Sequence, residues 1–312
     1  MKMMKAVRIH SYGGSECMVY EDVPCPMPAA GEILVRVMAA GVNPVDWKIR
    51  EGYLREMLQH ELPLTLGWDV SGVVQAVGQG VTQFRPGDEI FSRPDLGRNG
   101  TFAEFVVIRE REVALKPKSM DHVHAAAIPL AGLTAWQALY GAAKLAAGQT
   151  VLIHGAAGGV GSFAVQLAKL KGARVIATAS RPNPAYLKKL GADEIIDYLS
   201  VPFDEAVSDA DVVFDTIGGN TQERSWKVLK KGGILVSIVE PPSVEMAGLH
   251  GVREAFVFIR PDAEILTELA KLADDGKLKV NVDMLLPLSD AFRALEVSQE
   301  GHVRGKIVLK VG

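Results

Sequence analysis

One stretch restricts this chain more than any other: Val151-Leu-Ile-His-Gly155-Ala-Ala-Gly158-Gly-Val-Gly161-Ser-Phe-Ala-Val-Gln-Leu-Ala-Lys-Leu. Residues 151–154 read as a strand, 162–171 as an amphipathic helix, and a second strand begins at Arg174. Between strand and helix, read from Ala156, lies A-x-G-x-x-G, a one-residue variant of the dinucleotide fingerprint. Alone the motif is weak, but inside a βαβ unit it has the context that binding of a pyrophosphate requires. Glycine lets the main chain approach the phosphates, and the free N–H groups at a helix start favour an anion. Ala157, Gly158, Gly159, Val160 and Gly161 are therefore candidate cofactor-binding residues. The structural alternative is a glycine turn chosen only for tight strand–helix packing.

The alternation continues beyond this unit. Residues 185–190 and 225–230 read as helices, and 194–197, 212–215 and 234–239 as strands with nearly unbroken apolar runs. That pattern predicts a parallel sheet covered on both faces. Before about residue 122 the rhythm differs. Short apolar stretches at 5–10, 33–39, 71–77, 88–91 and 102–108 are punctuated by Pro24, Pro26, Pro28, Gly31, Gly78, Gly80, Pro86 and Gly87, which suggests a barrel or sandwich. Past about 255 come a strand (255–259), two helices and a last strand (306–311).

Composition removes several function classes. Apolar residues at 48% and charged residues at 23% describe a soluble globular chain, not a disordered one. A net charge of -3 gives no electrostatic case for nucleic acid or an anionic membrane surface. Two cysteines, Cys17 and Cys25, are too few for a disulfide framework or a four-cysteine metal site. No apolar run is long enough to span a bilayer, and the start MKMMKAVRIH lacks a signal-peptide core, so a cytoplasmic protein is expected.

The second strand of the βαβ unit indicates which nucleotide binds. An acidic residue some 20 positions beyond the glycines would bond a ribose 2′-hydroxyl and favour NAD. This strand instead ends in Ser180 and Arg181, whose hydroxyl and guanidinium suit a 2′-phosphate. NADP(H) is expected over NAD(H). The alternative for Arg181 is a solvated loop cation.

Further landmarks extend over nearly the whole chain: Ala39-Ala-Gly-Val-Asn43-Pro-Val-Asp46, Leu66-Gly67-Trp-Asp69-Val-Ser-Gly72, Gly87-Asp88, Gly100-Thr-Phe-Ala-Glu104, Leu133-Thr134-Ala135, Leu190-Gly-Ala-Asp193 and Arg304-Gly305-Lys306. With the glycine loop, they resemble the medium-chain dehydrogenase/reductase superfamily, and within it the zinc-independent quinone oxidoreductase branch. The resemblance implies an α/β protein. A GroES-like β-barrel catalytic domain (1–124 and 256–312) would accompany a doubly wound Rossmann domain (125–255), with the active site in the cleft between them. In zinc-dependent relatives a Cys follows the first Gly-Val, and a Gly-His-Glu supplies a second ligand. Here those positions carry Asn43 and Gly67-Trp68-Asp69, and 91–100 lacks the cysteines of a structural lobe. No N/S zinc site of the usual kind is expected, and no other metal.

The remaining roles follow from the resemblance. Asn43 would face the nicotinamide or the acceptor oxygen, its amide N–H stabilising developing negative charge; the alternative is an Asn holding the turn before Pro44. Tyr53 would donate a proton or form a wall. Asp46 and Lys48 flank this region; Asp46 belongs to the landmark, and the alternative for the two is a surface ion pair of little consequence. Thr134 would contact the nicotinamide, and Tyr198 the 2′-phosphate end. Ile217 and Val239 follow later strands at the ligand-binding edge. Phe256 and Phe258 would approach the carboxamide or simply sit in a core strand, and Gly305 and Lys306 would close over the cofactor. The expected activity is NADPH-dependent reduction of a quinone or α,β-unsaturated carbonyl. An enoyl-thioester reductase and a non-catalytic NADPH-binding redox sensor are the alternatives. Partners are a small-molecule substrate and, by analogy, a second copy through 255–259, with no nucleic acid or membrane.

Overall fold

The computed structural model describes residues 2–312, which divide into two units. One runs to Leu130 and takes in Arg260–Gly276 and Val280–Gly312; the other comprises Ala131–Ile259 and Lys277–Lys279. These divisions fall a few residues later than 124/125 and 255/256. Lys279 joins the second unit through Gln166, whose amide donates to its carbonyl at 3.0 Å and accepts its N–H at 2.7 Å.

Along the chain, the first unit supplies β1 (Met3–Ile9), β2 (Met18–Pro24), β3 (Glu32–Val42), β4 (Leu64–Thr65), β5 (Val70–Val77), β6 (Glu89–Ser92), β7 (Phe105–Arg109) and β8 (Val113–Leu115). The second supplies β9 (Thr150–Ile153), β10 (Arg174–Ala179), β11 (Glu194–Asp197), β12 (Ala210–Asp215), β13 (Leu229–Ser237) and β14 (Arg253–Phe256). The first unit is then completed by β15 (Val282–Pro287) and β16 (Lys306–Lys310).

In the first unit, β2-β1-β4 form a small antiparallel sheet. A larger sheet runs β15-β16-β3-β5-β6-β8, with β7 also on β3. This is the GroES-like architecture. Long β3 makes it possible: Ala39–Val42 pairs with β16, while Glu32–Arg36 pairs with β7. The core between the sheets holds Ile33, Val35, Leu66, Trp68, Ile90 and Phe102, all essentially without solvent contact. Each such side chain contributes roughly 1.5–3 kcal/mol by burial.

In the second unit all neighbouring strands are parallel, in the order β11-β10-β9-β12-β13-β14. The order reverses between β9 and β12, as in a doubly wound Rossmann sheet, and the crevice at such a reversal is where ligands bind. Central strands β9 and β12 are buried on both faces, hence their apolar runs. The helix expected at 225–230 is corrected. The helix Gly219–Ser225 lies earlier, and β13 already begins at Leu229. The charged start Lys230-Lys231 disguises the strand, because that end is exposed.

Candidate active site

The second unit presents a glycine turn between β9 and the helix Gly159–Leu170. Gly155 has φ +59°, and a Cβ there would lie 2.5 Å from Thr216 Oγ1. The Thr216 hydroxyl in turn donates to the His154 carbonyl at 2.8 Å, tying the turn to the end of β12. Gly161 packs against the turn so closely that a Cβ would meet the Gly155 oxygen at 2.3 Å. Gly158 differs: a Cβ there would meet only that oxygen, at 3.3 Å, and otherwise open space. The first intrahelical bond runs from Ser162 N to Gly158 O at 3.0 Å. The N–H groups of Gly159, Val160 and Gly161 therefore have no acceptor within the helix. An open glycine beside unused helix-start donors fits a dinucleotide pyrophosphate.

Below this edge lies a buried polar network. His154 bonds Thr178 Oγ1 through Nδ1 at 3.1 Å and Ser225 Oγ through Nε2 at 2.9 Å. Ser225 gives its own hydrogen to the Thr221 carbonyl at 2.7 Å, so Nε2 carries the imidazole proton and Nδ1 accepts. Burial brings the His154 pKa down to about 4, which keeps it neutral. The fully buried Asp215 carboxylate accepts from Ile217 N and Gly218 N, both at 2.9 Å, shaping the loop after β12. Ile217 itself is 53% exposed at that edge, and Val239 follows β13 with its N–H on Ser237 Oγ at 3.2 Å.

At the end of β10, Ser180 accepts from Asn183 Nδ2 at 3.2 Å. Arg181 is neither isolated nor free of carboxylates. Its Nε lies 3.2 Å from Asp197 Oδ2, at the end of neighbouring β11, and its Nη2 is 3.4 Å from Ser200 Oγ. The Ser200 and Arg181 hydrogen bonds hold the Asp197 carboxyl below its usual range. Tyr198, next in sequence, is half exposed. Phe256 and Phe258 are exposed, which corrects the core-strand alternative: β14 is the last strand of its sheet. Thr134 is buried on the helix Pro129–Trp136.

The first unit holds a buried charged cluster. Asn43 follows β3 and caps the helix Pro44–Arg50 in a capping box with Asp46, though no capping hydrogen bond of good geometry is made by its own side chain. Asp46 instead reaches back to accept the Asn43 N–H at 2.8 Å. The Asn43 side chain is used elsewhere: Nδ2 donates to Asp69 Oδ2 at 2.8 Å, and Oδ1 accepts from Lys306 Nζ. The Lys306 ammonium also donates to the Val42 carbonyl at 2.8 Å and lies 3.4 Å from Asp69 Oδ2. The other Asp69 oxygen accepts the Leu130 N–H at 2.7 Å. Burial pushes the Asp46 carboxyl up to about 8, against the Asn43 N–H and the Lys306 charge. Burial also raises Asp69 and lowers Lys306, each opposed by the other's charge. Arg93, just past β6, is buried with an unpartnered Nε, and desolvation brings it down to about 10.

Two expectations are thereby corrected. Lys306 is not a mobile lysine poised to close over a ligand, because its ammonium is spent on three acceptors inside its own unit. Gly305 beside it has φ +89°, and a Cβ there would lie 2.4 Å from the Asn281 carbonyl. Asp46 and Lys48 are no surface pair either: Asp46 is fully buried, and Lys48 is half-buried with its pKa lowered by desolvation. Tyr53 is 67% exposed and meets the Trp47 ring edge-on at 6.0 Å, while Lys306 and Asp69 hold Asn43. Sequence reasoning missed Arg93 and the pairing of Lys306. The available signal was a lysine opening the apolar run of residues 307–309. Among the described residues, no group of three His, Cys, Asp or Glu side chains is arranged to hold a metal ion.

A GroES-like unit combined with a Rossmann unit bearing this glycine turn defines a nicotinamide-dependent oxidoreductase. Residues 29–118 match the model of the alcohol dehydrogenase GroES-like domain, and 190–309 that of the zinc-binding dehydrogenases. The mouse NAD(P)H oxidoreductase RTN4IP1, mitochondrial, is 34% identical over 99% of this chain and 89% of its own length. A 2-methylene-furan-3-one reductase of Solanum lycopersicum is 35% identical over 98% of this chain and 79% of its own. The quinone oxidoreductase structure from Coxiella burnetii superposes with a TM-score of 0.94 at 36% identity, covering both chains completely. The chain belongs to the medium-chain dehydrogenase/reductase family, as an NAD(P)H-dependent oxidoreductase.

Proposed function

We propose that this chain is an NADPH-preferring reductase that delivers hydride to a quinone or to the β-carbon of an α,β-unsaturated carbonyl, without zinc. The observation that carries this reading is the cluster around Asn43. Where zinc-dependent relatives have thiolate and imidazole ligands, this chain has an amide, an indole and a carboxylate, with the Lys306 ammonium seated between the amide and the carboxylate. Zinc takes thiolate and imidazole donors in a tetrahedron. An ammonium bonded to the amide oxygen and beside the carboxylate is a poor match to that, so the residues do not fit the metal. Without a Lewis acid to form an alkoxide, reduction of an acceptor that is already electron-poor is the chemistry that remains accessible. Relatives named for a quinone and for a 2-methylene-furan-3-one support that acceptor class.

When bound, NADPH supplies the hydride. Gly158, Gly159, Val160 and Gly161, with Ala157, hold its pyrophosphate, and Ser180, Arg181 and Tyr198 hold the 2′-phosphate. Thr134, Ile217, Val239, Phe256 and Phe258 line the nicotinamide half. Asn43 Nδ2 has a second hydrogen beyond the one given to Asp69, and it donates to the acceptor oxygen as charge develops there. Tyr53 forms a wall, and the final proton comes from water. The chain forms a homodimer in which the β14 edges of two copies pair across a two-fold axis, supported by the terminal place of β14 in its sheet.

The test of the cofactor assignment is a fluorescence titration with NADPH and NADH. The expected result is tighter binding of NADPH by at least about tenfold, the order of a charge-assisted phosphate contact. Equal affinities would remove the 2′-phosphate assignment, and failure to bind either would remove the reading.

A further inference from the structure

Asn43 stands at the cap of a helix, in a capping box with Asp46, yet its side chain spends its own hydrogen bonds on Lys306 and Asp69. Asparagine at that position ordinarily turns its side-chain oxygen onto the first-turn N–H groups. Here the amide lies between a fixed cation and a fixed anion. Its oxygen is on the Lys306 ammonium, and one amide hydrogen is on Asp69. Rotating the amide by half a turn would set its NH2 against the ammonium and its oxygen against the carboxylate. Both charge-assisted bonds would become repulsions, so one orientation is imposed. Lys306 is itself immobilised by the Val42 carbonyl, and Asp69 by the Leu130 N–H.

The arrangement is more elaborate than packing requires. Two charges are desolvated to hold one amide, and a buried ion pair is commonly no more stabilising than apolar residues of similar volume. The Asn43 backbone is secured independently by Asp46. What the pair adds is the direction of the remaining Nδ2 hydrogen. We propose that Lys306 and Asp69 are positioning residues, an ion-pair clamp that fixes the Asn43 amide in the one orientation that presents an N–H donor to the acceptor oxygen. The proposal rests on the reading of Asn43 as that donor. Neither clamp residue touches the substrate. A freely turning amide would present its oxygen to the developing oxyanion part of the time and would have to be reoriented in each turnover; a clamped donor needs no such reorganisation.

Two measurements test this. The first is made on the wild-type protein, with Asn43→Ala serving only to assign the Asn43 side-chain amide signal. That amide is expected to have a 15N order parameter near the rigid-backbone value of about 0.85. An order parameter below about 0.6, that of a flexible group, would overturn the clamp. The second uses Lys306→Met with Asp69→Asn, which removes both charges together. Single replacement of Lys306 would strand a buried carboxylate and endanger folding. The double variant is expected to bind NADPH within about twofold of wild type and to lose at least about tenfold in kcat, since one lost oxyanion donor costs 10²–10³ and misorientation costs part of that. The order parameter of its Asn43 amide should fall toward the flexible range. If Asn43→Ala loses at least tenfold in kcat while the double variant stays within twofold of wild type, the clamp is refuted and the Asn43 donor stands. If Asn43→Ala itself retains wild-type kcat, the donor reading fails and the clamp falls with it.

Discussion

Gly158 and Gly161 lie three residues apart in one turn, yet a methyl group should harm them in different ways. In Gly161→Ala the new carbon would lie 2.3 Å from the Gly155 oxygen and 2.7 Å from Ala156 Cα. Both are backbone atoms of a turn held to β12 through Thr216, so neither can swing aside. Overpacking of this kind costs roughly 1–3 kcal/mol, and relief requires moving the turn itself. At about 2–4 °C per kcal/mol, Tm should fall by roughly 2–12 °C. NADPH affinity should fall with it by about tenfold or more, because the phosphate-facing N–H groups move. In Gly158→Ala the new carbon meets only the Gly155 oxygen, at 3.3 Å, with φ an ordinary -74°. Tm should hold within about 1 °C, the effect of a few tenths of a kcal/mol. The methyl instead occupies the open space through which a pyrophosphate approaches, so NADPH affinity should drop by more than about tenfold. Differential scanning fluorimetry and cofactor titration on the same samples separate the outcomes. Wild-type NADPH affinity in Gly158→Ala would refute the placement of the pyrophosphate, and an unchanged Tm in Gly161→Ala would refute the packing argument.

Three further outcomes follow from the charges. The Asp46 carboxyl holds its proton to about pH 8 in the fold, whereas the unfolded chain releases it near the ordinary value of 3.8; stability should therefore decline as pH rises from about 4 to 8. Asp46→Asn should flatten that decline, a change on the order of a few kcal/mol at pH 8 in urea titrations, and an unaltered slope would contradict a protonated Asp46. His154 gives the opposite sign. With its pKa depressed to about 4 from 6.5, the fold should lose about 3 kcal/mol as pH falls through that interval, and His154→Gln should reduce the loss. Asp197→Asn frees Arg181 from its exposed carboxylate partner; NADPH affinity should rise about two- to fivefold at low salt with NADH affinity unchanged, and no change in the ratio would separate Arg181 from the 2′-phosphate.

The doubly wound unit was legible because its signals are local. The glycine turn, the apolar strands β9, β10 and β12 and the helix Gly159–Leu170 each lie within a short window. The strand β15 was not: its residues alternate between half-buried and exposed, and no fully buried position marks it. Arg181 read as an unopposed cation because its carboxylate partner sits 16 residues on, brought beside it only by the pairing of β10 with β11. The cluster around Asn43 was least legible. Its lysine comes from 263 residues away, and a strand's pattern cannot say that a lysine points inward unless its distant partners are known. Asp46 and Lys48 misled for the same reason: charge suggests surface until the fold closes over it.

Metal-free reduction of an activated acceptor by NADPH is tested by single-turnover, stopped-flow oxidation of stoichiometric NADPH in the presence of a chelator. The panel would hold a benzoquinone, a naphthoquinone, an enone and an enoyl thioester, with a primary alcohol and NADP⁺ run in reverse. Rapid oxidation by a quinone or enone, unaffected by the chelator and slowed in Asn43→Ala, is the predicted result. Alcohol oxidation abolished by the chelator, or tight NADPH binding with no oxidation by any acceptor, would contradict it.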